Sequence, residues 1–252
     1  MVSPMSPIEQ KVTNDLGPYS APLYIFSKRN FAPQDLLHSA TVAFVNTGQD
    51  KFLITCHHVW DKFCQLTANN PETVMATTIG PNYGLVVLDG LKYIDGDSKF
   101  IDLVILRLPD TEIVCLGRKS YYSAEHWPNE TARQGNLVCL IGYAAQHCQV
   151  GENSIRFGTV RICDFVTRVT DRHVSIRDDQ GERQQYNHED GIEPLEGELG
   201  GMSGTPAFTY RNGKFELVGF FTDGFGTVNG QILLSHAHFI SPDGKLKPLP
   251  WT

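Results

Sequence analysis

The amino-acid sequence has no run of apolar residues long enough to span a bilayer. Its first twenty residues have neither a basic head nor an apolar core, so they do not read as a secretory signal peptide. Lysine and arginine are not clustered and the formal net charge is −7, whereas binding to phosphate needs clustered cations. We therefore expect a cytoplasmic protein with no membrane partner and no nucleic-acid partner.

Pairs of cysteines at C-x-x-C spacing, which are typical of zinc sites, are missing from the sequence. Without a signal peptide, we expect the six cysteines to be reduced and mostly buried thiols rather than disulfides. His236 and His238 form an H-x-H pair on one face of a strand, but no third ligand is in view. The sequence therefore predicts no bound metal, and no pattern in it indicates a cofactor.

Long stretches with helical periodicity are also missing; residues 58–66 alone indicate a short helix. The chain instead shows many short strand patterns separated by turn signals, which predicts a sandwich or barrels. Residues 110–134 are the best connection between two halves. We therefore expect a loose arm over residues 1–20, an N-terminal barrel over 21–120 and a C-terminal barrel over 121–252.

Three short stretches carry candidate chemistry: ITCHHV at residues 54–59, DLVILRL at 102–108 and GGMSGTP at 200–206. A serine hydroxyl is a poor nucleophile at neutral pH and needs a histidine base, which in turn needs a carboxylate on its other nitrogen. Glycines beside a serine let backbone N–H groups turn toward a developing oxyanion. Together the three stretches predict acyl transfer by a serine nucleophile.

In order and separation, these stretches resemble the His, Asp and Ser motifs of the chymotrypsin/trypsin-like (PA-clan) serine proteases, in a non-secreted, bacterial-type form. The resemblance covers roughly residues 20 to 245. It implies an all-β fold of two six-stranded antiparallel β-barrels with few short helices. It also implies a serine endopeptidase with a protein or peptide as its substrate partner.

The same resemblance assigns roles to residues. It makes His58 the general base, Asp102 the acid that orients it and Ser203 the nucleophile, with the backbone amides of Gly201 and Ser203 as the oxyanion hole. His57 remains a rival base, because the two histidines are adjacent in the sequence.

The substrate-binding positions also come from the resemblance. Gly197, which lies between two glutamates, falls at the base of the specificity pocket, where a carboxylate would favour Arg or Lys in the substrate. Solvated loop acids are the alternative interpretation of those glutamates. Thr222, Asp223 and Gly224 resemble the segment that pairs with substrate backbone.

Departures from the family's pattern bear on regulation. Met202 precedes the nucleophile where many secreted members have an aspartate that pairs with a newly cut N-terminus. No activation sequence such as Ile-Val-Gly-Gly stands near residues 20–45. Both absences predict an enzyme that N-terminal cleavage does not switch on. A protease-like binding module, or a latent protease with an activating or regulatory protein partner, remains the alternative.

Two alternative hypotheses assign a different fold or a different nucleophile to the chain. An α/β-hydrolase would combine Ser203 with Asp223 and either His236 or His238, but the G-x-S-x-G elbow has Thr205 at its last glycine. Cys56 adjoins two histidines, yet neighbouring residues of a strand point to opposite faces, so we expect a packed thiol.

Overall fold

The computed structural model describes residues 7–79, 84–109, 121–151, 154–177, 184–187, 191–194, 199–223 and 231–248. Within these ranges the chain is mostly β, with two helices, α1 (Pro7–Leu16) and α2 (His57–Asn69). The first sheet consists of β1 (Ser20–Phe26), β2 (Leu36–Asn46), β3 (Lys51–Cys56), β4 (Val74–Ile79), β5 (Gly84–Val87), β6 (Lys92–Asp97), β7 (Leu103–Arg107) and β8 (Tyr122–Ser123). The second consists of β9 (Leu137–Gly151), β10 (Ser154–Val169), β11 (His173–Arg177), β12 (Gln184–Asn187), β13 (Gly191–Pro194), β14 (Pro206–Arg211), β15 (Lys214–Asp223) and β16 (Gln231–His236).

The second sheet closes into a six-stranded barrel. Its strands run in the order β11-β16-β15-β14-β9-β10, and β10 pairs back to β11. Side chains of β9, β15 and β16, among them Leu140, Val218 and Leu234, fill its apolar interior. The prediction of a six-stranded antiparallel barrel is confirmed for this half of the chain.

The first sheet is open, and here the prediction of a second closed barrel needs correction. Its strands follow the order β5-β4-β1-β2-β3-β7-β6, with β8 added beside β2, and no ladder in the described part of the chain joins β5 to β6. Trp60 and Phe63 of α2 pack against the core of this sheet, as do Val86 of β5 and Leu91. Apolar side chains, rather than a backbone ladder, therefore cover this core on the helical side.

The N-terminal segment differs from the loose arm that the sequence predicted. From Pro7 it forms α1, followed by a 3-10 helix at Gly17–Tyr19. Val12 and Leu16 are buried in the same cluster as Ile101 of the first half and Phe208 of the second. The segment folds as a helix because its apolar residues recur at helical spacing, so that one face of an otherwise polar segment is buried.

The two sheets meet across a shared apolar core. Ile54 and Ile105 of the first sheet belong to the same cluster as Ile141 and Phe220 of the second. β8 pairs with β2, although residue 121 was the expected start of the C-terminal half. The helix expected at residues 58–66 is α2, which follows β3 without a break. In the described ranges no helix is long and apolar enough to cross a membrane.

Candidate active site

Asp102 provides the acceptors that the start of α2 needs. The first N–H groups of a helix have no partner within it, and Cys56, which precedes the helix, offers no side-chain cap. The backbone carbonyl of Asp102 accepts a hydrogen bond from the His57 N–H at 3.1 Å. Its carboxylate oxygen Oδ1 accepts one from the His58 N–H at 3.0 Å. A carboxylate is also favoured at this end of a helix by the helix dipole.

The other carboxylate oxygen of Asp102 holds the imidazole of His58. Oδ2 of Asp102 lies 2.6 Å from Nδ1 of His58. Asp102 has a φ of +47°, a left-handed conformation that aspartate tolerates better than most residues, immediately before β7. The pairing of Cys56 with Leu103 brings this turn beside the start of α2. Because Nδ1 donates to the carboxylate, Nε2 is the nitrogen of His58 that can act as a base.

His57 is held by a different acid. Its Nδ1 lies 3.0 Å from Oδ2 of Asp61, one turn further along α2. The side chain of His57 is only 14% exposed, against 47% for His58. Its ring packs edge-on to Tyr93 on β6. The structure thus gives the two adjacent histidines different carboxylates, and the carboxylate that the sequence analysis singled out is beside His58.

Ser203 lies in a tight loop before β14 that needs two glycines in left-handed conformation. Gly201 has a φ of +90° and Gly204 a φ of +91°. A Cβ on Gly201 would lie 2.5 Å from the backbone nitrogen of Ala145, and one on Gly204 would overlap the carbonyl oxygen of Thr41. Only glycine fits at these two positions, which accounts for the glycines that flank the serine.

The backbone amides of Gly201 and Ser203 have a fixed direction. The Gly200 carbonyl, which belongs to the same peptide as the Gly201 N–H, accepts a hydrogen bond from the Ala145 N–H of β9 at 2.6 Å. The Met202 carbonyl, which belongs to the same peptide as the Ser203 N–H, accepts one from the Thr205 N–H at 2.9 Å. The C=O and N–H of a trans peptide point in opposite directions. The two N–H groups therefore face away from these donors, and neither donates a hydrogen bond within the described residues.

Thr41 of β2 ties this loop to the first sheet. Its N–H donates to the Ser203 carbonyl at 3.0 Å, and its hydroxyl donates to the Gly201 carbonyl at 2.9 Å. The same hydroxyl accepts a hydrogen bond from the Tyr143 N–H at 3.1 Å. Thr41 is fully buried. Sequence reasoning missed Thr41, because a single threonine within a strand carries no motif.

The thiol of Cys56 lies beneath the site, fully buried. Its Sγ is 3.2 Å from the Phe221 carbonyl oxygen and 3.4 Å from that of Thr222. Burial raises the pKa of the Cys56 thiol, the Asp102 carboxylate raises it further, and the Ser203 side chain lowers it in part. A carboxylate oxygen of Asp102 lies within 4.8 Å of this thiol. The thiol stays protonated at neutral pH and is a poor nucleophile.

The expected substrate-binding positions are only partly described. Thr222 is buried at an irregularity in the β15–β16 pairing, and Asp223 ends β15. The β14–β15 ladder ends at Phe220, and two further backbone hydrogen bonds follow at Phe221, whose N–H donates to the Thr205 carbonyl and whose carbonyl accepts from the Gly204 N–H. Past that point, no described residue pairs with this edge of β15. Gly197 and Gly224 lie outside the described residues.

The H-x-H pair spans the end of the barrel: His236 is the last residue of β16, and His238 lies in the short 3-10 helix that follows. The rings of His236 and His238 lie 4.7 Å apart, and Nε2 of His236 hydrogen-bonds the Thr170 carbonyl at 2.9 Å. Burial lowers the pKa of both histidines, that of His238 to about 4. Strand pairing in the barrel is antiparallel, unlike the parallel sheet of an α/β-hydrolase, the reading that would have used these histidines.

Comparison with known proteins defines the class of fold. Among solved structures, the chain is similar to a thermostable serine protease from an extremophilic microorganism, with a TM-score of 0.51 and 10% identity over 87% of this chain and 91% of that one. A structure of the intrinsically disordered VPg protein of Sesbania mosaic virus gives a TM-score of 0.46 at 14% identity, covering 89% of this chain and 95% of the other. No family model and no curated protein matches the sequence. The chain therefore has a fold like that of a serine protease.

Proposed function

We propose that the chain is a serine endopeptidase in which His58, Asp102 and Ser203 form the catalytic triad. The observation that carries this proposal is the bond of 2.6 Å between the Asp102 carboxylate and Nδ1 of His58. Ser203 supports it from the loop before β14, because this loop packs against the end of β3: a Cβ on the adjacent Gly204 would lie 2.8 Å from the Cα of Thr55, which precedes the two histidines. The serine-protease-like fold agrees with the same chemistry.

In the proposed mechanism, Oγ of Ser203 attacks the carbonyl carbon of the substrate, and its proton passes to Nε2 of His58. Asp102 keeps the imidazole in the right tautomer and stabilises the imidazolium. The oxyanion of the tetrahedral intermediate accepts hydrogen bonds from the N–H groups of Gly201 and Ser203. Nε2–H then protonates the leaving amine, and water releases the acyl group by the reverse sequence.

The β14-side edge of β15 past Phe221, with which no described residue pairs, supports a peptide substrate. An extended peptide binds a sheet by adding a strand to an unpaired edge. We place the backbone of the substrate beside Thr222, Asp223 and Gly224, with Gly197 at the base of the pocket. A peptide bound there would pair with the residues that follow Phe221. The carbonyl of Phe221 accepts a hydrogen bond from the Gly204 N–H at 2.8 Å, so this segment begins beside the loop that carries Ser203.

The surroundings of Met202 support activity without N-terminal cleavage. Its side chain is fully buried in the apolar interior of the barrel, so this position supplies no carboxylate to pair with a new N-terminus. The nucleophile loop is held instead by Thr41 and by backbone hydrogen bonds. We propose a cytoplasmic enzyme that is active as folded, on protein or peptide substrates.

A fluorophosphonate probe, which labels an activated serine covalently, tests the triad. We expect the wild type to be labelled and the variants Ser203→Ala and His58→Ala to remain unlabelled. The matched control is His57→Ala, which removes the neighbouring imidazole that Asp61 holds. This variant should keep at least a large part of the wild-type labelling rate.

Three outcomes would contradict the proposal. Labelling of Ser203→Ala would mean that another residue is the nucleophile. Loss of labelling in His57→Ala but not in His58→Ala would mean that His57, and not His58, is the general base. A folded wild type that is never labelled would make the isolated chain a binding module or a latent protease. Cleavage of an unfolded protein substrate, followed by mass spectrometry of the fragments, then separates an endopeptidase from an esterase.

A further inference from the structure

At the proposed catalytic site, two members of the proposed triad converge with Cys56, a residue that the proposed protease chemistry does not use. Cys56, His58 and Asp102 each offer one ligand atom, and these three atoms lie within 4.8 Å of one another. Sulfur, nitrogen and oxygen ligands together suit a borderline-soft cation such as Zn²⁺, which protein sites bind with three or four such groups. Mg²⁺ and Ca²⁺ prefer oxygen ligands alone.

We propose that Cys56, His58 and Asp102 form a binding site for Zn²⁺ or a cation of similar softness, and that an ion bound there blocks the catalytic triad. The binding of the ion depends only on the three side chains. The block depends on the function proposed above.

The fold holds the three ligands on connected elements. Cys56 ends β3 in extended conformation, with φ −76° and ψ 146°, and His58 follows two residues later in the first turn of α2. Asp102 precedes β7, whose first residue, Leu103, pairs with Cys56. The N–H of His58 already binds Oδ1 of Asp102, which leaves Oδ2 directed at the imidazole.

Binding exchanges protons for the ion in a balanced step. The Cys56 thiol loses its proton to solvent, and the proton on Nδ1 of His58 moves to Nε2, so that sulfur, Nδ1 and Oδ2 of Asp102 can bind the ion. The separation of Nδ1 and Oδ2 must widen from 2.6 Å to about 3.3 Å, as tetrahedral bonds of about 2.0 Å require. The imidazole is 47% exposed and has room for this movement.

This exchange explains why the bound ion and catalysis exclude each other. With a proton on Nε2, His58 donates a hydrogen bond toward Ser203 and cannot accept the hydroxyl proton. The ion also occupies the carboxylate oxygen that would stabilise an imidazolium. Without the ion, the buried thiol keeps its proton beside the carbonyls of Phe221 and Thr222, so catalysis is left undisturbed.

Metal binding is measured first, without any need for activity. Competition with a chromogenic chelator gives the Zn²⁺ affinity of the full chain, and Co²⁺ gives a thiolate-to-metal charge-transfer band in the near ultraviolet. We expect Cys56→Ala and the nearly isosteric Cys56→Ser to weaken Zn²⁺ binding at least about tenfold and to abolish the Co²⁺ band. Cys64→Ala, which removes the exposed cysteine of α2, is the matched control and should bind like the wild type.

The block is measured by the rate of fluorophosphonate labelling. Zn²⁺ should slow the labelling of the wild type and of Cys64→Ala, should affect Cys56→Ala far less, and Mg²⁺ should have no effect on any of them. Ser203→Ala should bind Zn²⁺ like the wild type. If no variant is labelled but Zn²⁺ binding still depends on Cys56, the metal site stands and the proposed protease function fails. Equal Zn²⁺ affinity and an equal Co²⁺ band in the wild type and both Cys56 variants would overturn the metal site.

Discussion

A methyl group added at Gly201 should disable the proposed oxyanion hole while leaving the hydrogen bond between His58 and Asp102 in place. The φ of Gly201 is +90°, which costs a residue with a Cβ about 1–2 kcal/mol. The new Cβ would lie 2.5 Å from the backbone nitrogen of Ala145 and 2.8 Å from the carbonyl oxygen of Tyr143. Both neighbours are backbone atoms of β9, so the loop must move, and its N–H moves with it.

The size of the effect follows from the role of that N–H. Loss of one oxyanion donor typically slows acyl transfer about 100-fold to 1,000-fold, which corresponds to about 3–4 kcal/mol in the barrier. We therefore expect Gly201→Ala to lower the rate constant of fluorophosphonate labelling by about 100-fold or more. Strain and overlap together should lower the free energy of unfolding in urea by about 2–4 kcal/mol.

Gly48→Ala is the matched control. Gly48 has a φ of +87°, nearly that of Gly201, but it lies in the turn between β2 and β3, and a Cβ there meets nothing within 4 Å. This variant should lose only about 1 kcal/mol of stability and should be labelled at the wild-type rate. Wild-type labelling of Gly201→Ala, or equal slowing in both variants, would refute the assignment of Gly201 to the oxyanion hole.

Three further perturbations probe the acid, the tether and the buried histidines. Asp102→Asn should lower the labelling rate about 10⁴-fold through the wrong imidazole tautomer, while Asp61→Asn should leave it nearly unchanged; comparable rates for the two would contradict the pairing. Thr41→Val removes the hydroxyl that bonds the Gly201 carbonyl and the Tyr143 N–H. The free energy of unfolding in urea should therefore fall by about 1–3 kcal/mol, and the labelling rate should fall as well. A variant with unchanged stability and labelling rate would show that Thr41 does not position the loop. Burial lowers the pKa of His236 and of His238, so the unfolded state binds more protons than the folded state below about pH 6.5. The free energy of unfolding should therefore fall as the pH is lowered from about 6.5 to about 4, and it should fall less steeply in His238→Gln. If the wild type and His238→Gln gave parallel pH profiles, His238 would not contribute to this pH dependence.

The sequence predicted elements that local patterns encode. Short strand patterns between turn signals indicate a mostly β chain, and a barrel of six strands is present in the second half. The first sheet stays open, which periodicity does not reveal, because closure depends on which strand edges meet. The helix α1 was missed for a similar reason: the cluster that buries Val12 and Leu16 includes Ile101 and Phe208, which are distant in the sequence.

Candidate catalytic residues are easier to predict from sequence than the contacts that position them. His58, Asp102 and Ser203 stand in short stretches whose residue types are unusual together. Thr41 has no such signature, and three of its hydrogen bonds join segments up to 162 residues apart. No local spacing in the sequence reveals the sulfur, nitrogen and oxygen cluster of Cys56, His58 and Asp102, since Asp102 lies 44 residues beyond His58 and is brought to it by the pairing of β3 with β7.

The site is divided between the two sheets, and this division has a consequence for its stability. His58 and Asp102 come from the first sheet and Ser203 from the second, so the site exists only while the shared core holds the sheets together. Thr41 makes the same connection with polar bonds: its N–H and hydroxyl reach the Ser203 and Gly201 carbonyls from β2. We propose that a tether that fixes the loop in this way removes the need for a new N-terminus to order it. Loss of labelling and separation of the sheets should therefore occur at the same urea concentration.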